Sequence, residues 1–346
     1  MTSQIYSCPV CRGSIQDLGK SLRCTSCSVS FPLIESIPVF YNIDNYYGEI
    51  DRERMTRLIE LAKTSGYRNA ISVVIDDPWI QDYALDENRA KWINLLPLDT
   101  NTKVLDVGCG WGTNTIPIAR NIKHVTAIDA TIERVKFVQL RAEECGLFNI
   151  STALASAMAL PYPSESFDIV IFNGVLEWLG GDDTKRTPMD IQMQALREAY
   201  RVLVSGGLIY IGIENRFSLR YFLGQADDHS FIRFTSLMPR WMAQSYFKLR
   251  TGKDYFMHTH SLSGYRDMLK NAGYSQESEY HPWPNYRHPV DFVKLNKIEI
   301  VKHLSSKIHE LPFGTRKWFH CTLLRWLTAL EGKGFFCHSF LFIYKK

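Results

Sequence analysis

The chain has 346 residues, 45% of them hydrophobic, enough for one large core and a small satellite. No apolar run reaches bilayer-spanning length, so no transmembrane helix is expected, and there is no internal repeat or low-complexity stretch. The formal net charge of +4 is unevenly spread: residues 285–346 carry 11 Lys and Arg against 4 Asp and Glu, while the remainder carries 29 against 32. A basic C-terminal stretch suits an anionic substrate, a nucleic acid or a membrane surface, and equally an ordinary solvated face.

In chain order, the first signal is Cys8-Pro-Val-Cys11 and Cys24-Thr-Ser-Cys27, two Cys-x-x-Cys knuckles with twelve residues between them. Each knuckle offers two sulfurs from one tight turn, and two knuckles close a tetrahedral thiolate site for zinc. Disulfides are the competing chemistry. The N-terminus does not read as a signal peptide and the other four cysteines are scattered singly, so a reducing, cytoplasmic setting is expected. A closed four-sulfur site has no open position, so this zinc would be structural. Residues 1–42 therefore form one module. Residues 43–79 follow as a linker region with a charged helical stretch from Glu49 to Ala62 that ends near Gly66.

The main domain is expected over residues 80–346. The apolar pair Val104-Leu105 leads into Asp106, then Gly108, Cys109, Gly110, Gly112, Thr113 and Asn114. This reads as a buried strand, a glycine turn and a helix opening at Thr113. A dinucleotide site needs Gly-x-Gly-x-x-Gly; here the third glycine falls one place early and Thr113 stands where it should be. Asp106 at the strand end would repel phosphate and attract an ammonium group. S-adenosylmethionine, with an ammonium, a sulfonium and no phosphate, fits that pattern.

His124-Val-Thr-Ala-Ile-Asp129 reads as a second strand whose terminal carboxylate suits ribose hydroxyls, with Ala130 next. Thr131 suits a helix cap, Glu133 its first turn and Gly146 its end. A strand over 167–173 precedes Gly174-Val-Leu-Glu-Trp178. A helix over 196–203 stops at Gly206-Gly207, and a strand over 208–213 runs into Glu214-Asn215-Arg216. An aromatic-rich insertion over 217–260, a helix over 261–272, a strand to about Pro284, a helical insertion over 285–334 and a last strand over 335–344 complete the order.

Residues 80–215 resemble class I S-adenosylmethionine-dependent methyltransferases in the glycine loop, in Asp129, in Leu160-Pro-Tyr-Pro with Ser166-Phe-Asp-Ile-Val170, and in the Gly-Gly before the last core strand. The resemblance implies an α/β fold: a Rossmann-like, seven-stranded sheet with helical insertions over the strands' carboxyl ends. It assigns Asp106, Gly108 and Gly110 to the methionine end of the cofactor, with Cys109, Thr113 and Asn114 in the same loop. Asp129 with Ala130 goes to the ribose, Ala157 and Met158 to adenine, and Asn173, Gly174 and Val175 to the far side. Two positions depart from the family: Ser156 replaces the usual acid, and Trp178 stands where many members carry histidine. Residues 1–42 are similar to a zinc-ribbon module found alone as an activator of certain methyltransferases and fused to others, with residues 31–40 as its closing strand pair.

Methyl transfer is an in-line displacement that must align the acceptor and take up its proton. His229 beside Asp228 is the first choice of base, with Glu214 second. Asn215, Arg216, His258 and His260 are the expected substrate contacts, because they leave the last core strand or close the first insertion. The pattern from Ile213 to His229 is similar to methyltransferases encoded in bacterial surface-polysaccharide gene clusters. That resemblance implies a sugar, nucleotide sugar or lipid-linked glycan acceptor; an anionic nucleotide or lipid phosphate, and with it peripheral membrane contact, would suit the basic C-terminal stretch and Arg216. The rivals are an RNA methyltransferase, and a non-catalytic cofactor-binding scaffold with the ribbon as its docking surface. Against RNA, no Asn/Asp-Pro-Pro-Tyr tetrad for a flipped base is present.

Overall fold

The computed structural model describes residues 6–180, 186–300, 302–303 and 334–346. The chain divides into two units: Met1–Asn173 with Gln194–Tyr210 and Lys345–Lys346, and Gly174–Met193 with Ile211–Tyr344.

The first unit opens with β1 (Ile15–Asp17), β2 (Ser21–Cys24), β3 (Ser30–Ile34) and β4 (Ile37–Pro38), a four-stranded sheet in that order. Its neighbours all pair antiparallel. Helix α1 (Arg52–Ser65) begins where Asp51 accepts the Arg54 N–H and ends at Gly66. It buries Met55, Leu58, Ile59 and Ala62, spaced i, i+3, i+4, i+7 along a single face. Then come α2 (Tyr67–Val74) and α3 (Pro78–Leu85), the latter capped by Asp77 with Pro78 at its first position.

The core alternates β5 (Lys103–Val107), α4 (Thr115–Ala119), β6 (His124–Asp129), α5 (Ile132–Glu144), β7 (Ile150–Leu154) and β8 (Phe167–Asn173). Strands β8, β5, β6 and β7 are neighbours in that order, and their pairings are parallel. Parallel strands are covered on both faces, so they read as continuous apolar runs. Their carboxyl ends carry Val107, Asp129, Leu154 and Asn173.

Helix α6 (Pro188–Val202) and strand β9 (Leu203–Glu214) run from one unit into the other. The second unit holds α7 (Leu219–Phe222), α8 (Arg240–Thr251), α9 (Leu262–Asn271), β10 (Ser275–Trp283), β11 (Asp291–Lys294) and β12 (Ser339–Lys345). Its strand order is β11-β10-β12 and then the end of β9.

Three expectations are corrected. Among the described residues the main sheet's strands number eight rather than seven, the extra one being β11, antiparallel to β10. Gly206-Gly207 do not stop a helix but lie inside β9, where Gly206 takes φ 80°. The helix after the glycine loop starts at Thr115, two residues late, because the loop is longer than the sequence suggests. Most of the insertion expected over 285–334, residues 304–333, lies outside the described residues. Among the described residues no helix is long and apolar enough to cross a membrane.

Candidate functional site

The four N-terminal cysteines converge. Their sulfurs lie within 4.8 Å of one another, with Cys8–Cys27 at 3.7 Å and Cys11–Cys24 at 3.4 Å. Four sulfurs at zinc-bond length around one tetrahedral centre would be about 3.8 Å apart, so the set is close to that geometry. The two knuckles have the same build. Arg12 N–H donates to Cys8 O and Ser28 N–H to Cys24 O, and Arg12 and Ser28 both take positive φ. The amides of Cys27 and Ser26 point at the Cys24 sulfur and bring its thiol down to about 6. A thiolate is the state a metal requires.

The glycine loop is shaped for close approach. Gly108, Gly110 and Gly112 take φ of 73°, 51° and 75°, conformations that side chains resist. A Cβ on Gly112 would come within 3.3 Å of Val138. Asp129 fastens this loop to β6: one carboxylate oxygen accepts the Gly110 N–H at 3.0 Å and the other the Thr131 N–H at 2.9 Å. Gly108 and Cys109 both donate to Ile128 O. Asp106 is buried and accepts the Thr115 hydroxyl at 2.6 Å. Burial, with a smaller push from Asp129, raises its carboxyl to about 6. Asn114 accepts from the Asn173 amide at 3.3 Å, and Asn173 accepts from the Tyr210 hydroxyl.

Residues of the linker region reach this loop. Asn45 donates to Ala130 O at 3.0 Å, Tyr47 N–H to the Thr131 hydroxyl, and the Trp111 indole to Glu49, which also pairs with Arg134. Thr131 thus gives its oxygen to Tyr47 and does not cap α5 with its side chain. On the adenine side, Ser156 accepts the Met158 N–H and Gln194 donates to Met158 O, which holds the 156–158 turn. The expected cofactor residues of this unit are therefore gathered at the carboxyl ends of β5, β6, β7 and β8. Gly174 and Val175 begin the second unit.

In the second unit the sequence expectation of an Asp228–His229 pair is corrected. Asp228 pairs with Arg220 and the Tyr221 hydroxyl. His229 turns away from it into a buried acid cluster. Its Nε2 lies 3.6 Å from Glu214 Oε2 and 3.9 Å from Glu177 Oε1, and its Nδ1 lies 3.9 Å from Asp227 Oδ1. Glu177, Glu214 and His229 are 0%, 1% and 4% exposed. Tyr286 donates to Glu214 Oε1 at 3.0 Å, and the same oxygen takes Arg287. Burial opposes ionisation of Glu214, but Arg287 and then His229 outweigh it and bring the carboxyl down to about 2. For Glu177, burial and then Glu214 outweigh the contact with His229 and push the carboxyl up to about 7. Burial lowers His229, and Glu214 followed by Glu177 more than reverses this, for a net rise.

Two of the other expected substrate contacts, Asn215 and Arg216, hold backbone instead. The buried Asn215 amide donates to Phe335 O and Cys337 O, both at 2.7 Å. Arg216 donates to Ser236 O and Met238 O. His260 meets Gln192 at 2.7 Å, and the same glutamine donates to His258 O and Leu176 O. Burial lowers His258 to about 3 and His260 to about 4, so both are neutral at pH 7. Sequence reasoning missed Glu177 as a functional residue; the signal was a lone carboxylate among the apolar residues of Val175-Leu-Glu-Trp178.

Comparison with known proteins finds methyltransferases. Residues 105–211 match the family model of the methyltransferase domain, and residues 45–153 that of protein-L-isoaspartate(D-aspartate) O-methyltransferase. A demethylmenaquinone methyltransferase of Listeria welshimeri is 34% identical over 122 residues, 34% of this chain and 48% of that protein. An uncharacterized protein of Haemophilus influenzae is 35% identical over 109 residues, 31% of this chain and 40% of that protein. The chain spans about half the length, or less, of the curated relatives it matches. Among solved structures, the YcgJ protein of Bacillus subtilis is similar at 17% identity and a TM-score of 0.42, over 75% of this chain and 97% of that one. The central region is similar to methyltransferase domains.

Proposed function

We propose that the protein transfers the methyl group of S-adenosylmethionine to a hydroxyl of a sugar, nucleotide sugar, lipid-linked glycan or other small-molecule acceptor. The observation that carries the cofactor half is the Asp129 carboxylate on the Gly110 N–H, which makes the glycine loop and the ribose acid one element. Asp106, Gly108, Gly110, Asp129 and the 156–158 turn would hold the cofactor, which supplies an electrophilic methyl when bound. The buried Glu177, Glu214 and His229 are the candidate centre for activating the acceptor hydroxyl, because their unsatisfied polar atoms supply what an oxygen nucleophile needs: a place for its proton and for its developing charge. An anionic acceptor fits the basic C-terminal stretch. The four cysteines would hold one structural zinc, for which their spacing and the Cys24 environment are suited.

Calorimetry should show binding of S-adenosylmethionine and S-adenosylhomocysteine and none of NAD. Asp129→Ala should weaken cofactor binding by about 1–3 kcal/mol, through lost charge-assisted bonds and a released loop. Unchanged affinity would remove the ribose assignment. Incubation with methyl-labelled cofactor and fractionated extracts then assigns the acceptor. Label in nucleotide sugars or lipid-linked glycans supports the reading; label only in demethylmenaquinone-type quinones or in RNA replaces it.

A further inference from the structure

We propose that Glu177, Glu214 and His229 bind one divalent cation of the Mg²⁺/Mn²⁺ class, whose open positions receive the acceptor's oxygens. This deepens the acceptor-activating centre proposed above and rests on that reading for its role, though not for its existence as a metal site.

The motivating fact is an unfilled convergence. Glu177 Oε2, Glu214 Oε2 and His229 Nε2 are buried and have no hydrogen-bond partner in the structure. One ligand atom from each residue lies within 4.8 Å of the others. Leaving three polar atoms without partners in one buried spot costs about 1–3 kcal/mol each, so something should occupy it. The separations say what kind of occupant. At 3.6 and 3.9 Å from the carboxylates, Nε2 is beyond direct hydrogen bonding to either. Donor atoms about 2.1–2.4 Å from a shared ion are separated by about 3.0–3.9 Å, depending on the angle between them.

The far side of each ligand is braced and the near side bare. Glu214 Oε1 takes the Tyr286 hydroxyl and Arg287, and Tyr286 also reaches Glu177 Oε1 at 3.5 Å. His229 Nδ1 faces Asp227, and its ring packs edge-on against Trp178 at 4.9 Å. Such bracing is how proteins aim metal ligands. The charges also favour an ion. Arg287 pairs with Glu214, whereas Glu177 meets only the more distant His229 Nε2, at 3.9 Å, among the described residues. Two carboxylates and one imidazole are hard to borderline donors, suited to Mn²⁺ or Mg²⁺ and distinct from the thiolates that select zinc at the N-terminus. Three protein ligands leave positions for an acceptor carrying neighbouring hydroxyls.

The test uses the full chain, stripped with EDTA and checked for retained zinc by elemental analysis. MnCl₂ is titrated while the free-ion electron paramagnetic resonance signal and the melting temperature are followed. One Mn²⁺ per chain should bind and raise the melting temperature, and Mg²⁺ should compete. Glu177→Gln and His229→Gln should each weaken Mn²⁺ at least about ten-fold and abolish the thermal shift. Glu177→Gln without metal should melt no lower than wild type, because it removes a buried charge; this separates ligand loss from misfolding. Failure of the wild type to bind Mn²⁺, or binding that persists in both variants, overturns the site and leaves water as its occupant. Cofactor calorimetry on the same samples keeps the readings apart: Mn²⁺ binding without cofactor binding would sink the function and spare the metal.

Discussion

Cys24→Ser is expected to remove zinc from the protein and to lower the stability of the whole first unit. Composition suggests that the N-terminal module is a satellite, and its own core is small: Cys8, Leu22, Cys24 and Phe31 with a few half-buried neighbours. A module of that size needs a staple, and zinc supplies on the order of 10 kcal/mol in small thiolate modules. The N-terminal module is also tied to the rest of the unit. Val39 bridges Leu154 in parallel, Phe40 N–H donates to Leu154 O at 2.8 Å, and Ser7 N–H donates to Pro161 O. Arg12 pairs with Glu198 at 2.7 Å and donates to Leu160 O. Ile37 and Val39 pack with Ile132, Val135 and Leu154. These contacts cover the exposed edge of β7, a usual liability of sheets. They also reach the cofactor residues through the Ala155 N–H on Asp129 O. The variant should therefore lose zinc by elemental analysis, melt at a markedly lower temperature and bind S-adenosylmethionine more weakly. Zinc loss with an unchanged melt would show that the ribbon is dispensable; no zinc in the reduced wild type would remove the metal altogether.

The parallel core was legible because buried strands leave unbroken apolar runs. The expected strands over 124–129 and 167–173 coincide with β6 and β8. Strand β7 was missed: Ile150-Ser-Thr-Ala-Leu154 is short and half polar, and Val39 of the N-terminal module bridges it at Leu154, which no local pattern records. The glycine loop was legible because positive φ at Gly108, Gly110 and Gly112 leaves a compositional trace. The acid–histidine centre was not, because side-chain partners follow from tertiary placement. Asp228 and His229 are neighbours in sequence, yet the local turn, in which Asp227 accepts the His229 and Ser230 N–H groups, sends them to different partners. Glu177 and Glu214 come from separate segments, one following β8 and the other ending β9, so nothing local links them.

His229→Ala is expected to lower turnover by about 10²–10⁴-fold, the range for loss of a group that handles the acceptor's proton or positions its oxygen. Cofactor affinity should stay near wild type, because Asp106, Gly110 and Asp129 belong to the first unit and make none of their hydrogen bonds to His229. Removing the ring empties a packed position against Trp178, so a drop in melting temperature is expected as well. His229→Gln preserves bulk and a polar tip, and it should recover stability with little activity. Asp228 supplies the contrast. Its carboxylate is engaged by Arg220 and Tyr221 rather than by the imidazole. Asp228→Asn should accordingly leave turnover within a few-fold of wild type, whereas an Asp–His pair of the kind the sequence suggested would make it nearly as damaging as His229→Ala. Steady-state constants for the three variants on the acceptor identified by label transfer decide the matter. Equal losses at 228 and 229 would restore the sequence pairing, and wild-type turnover in His229→Ala would mean that alignment alone drives the reaction.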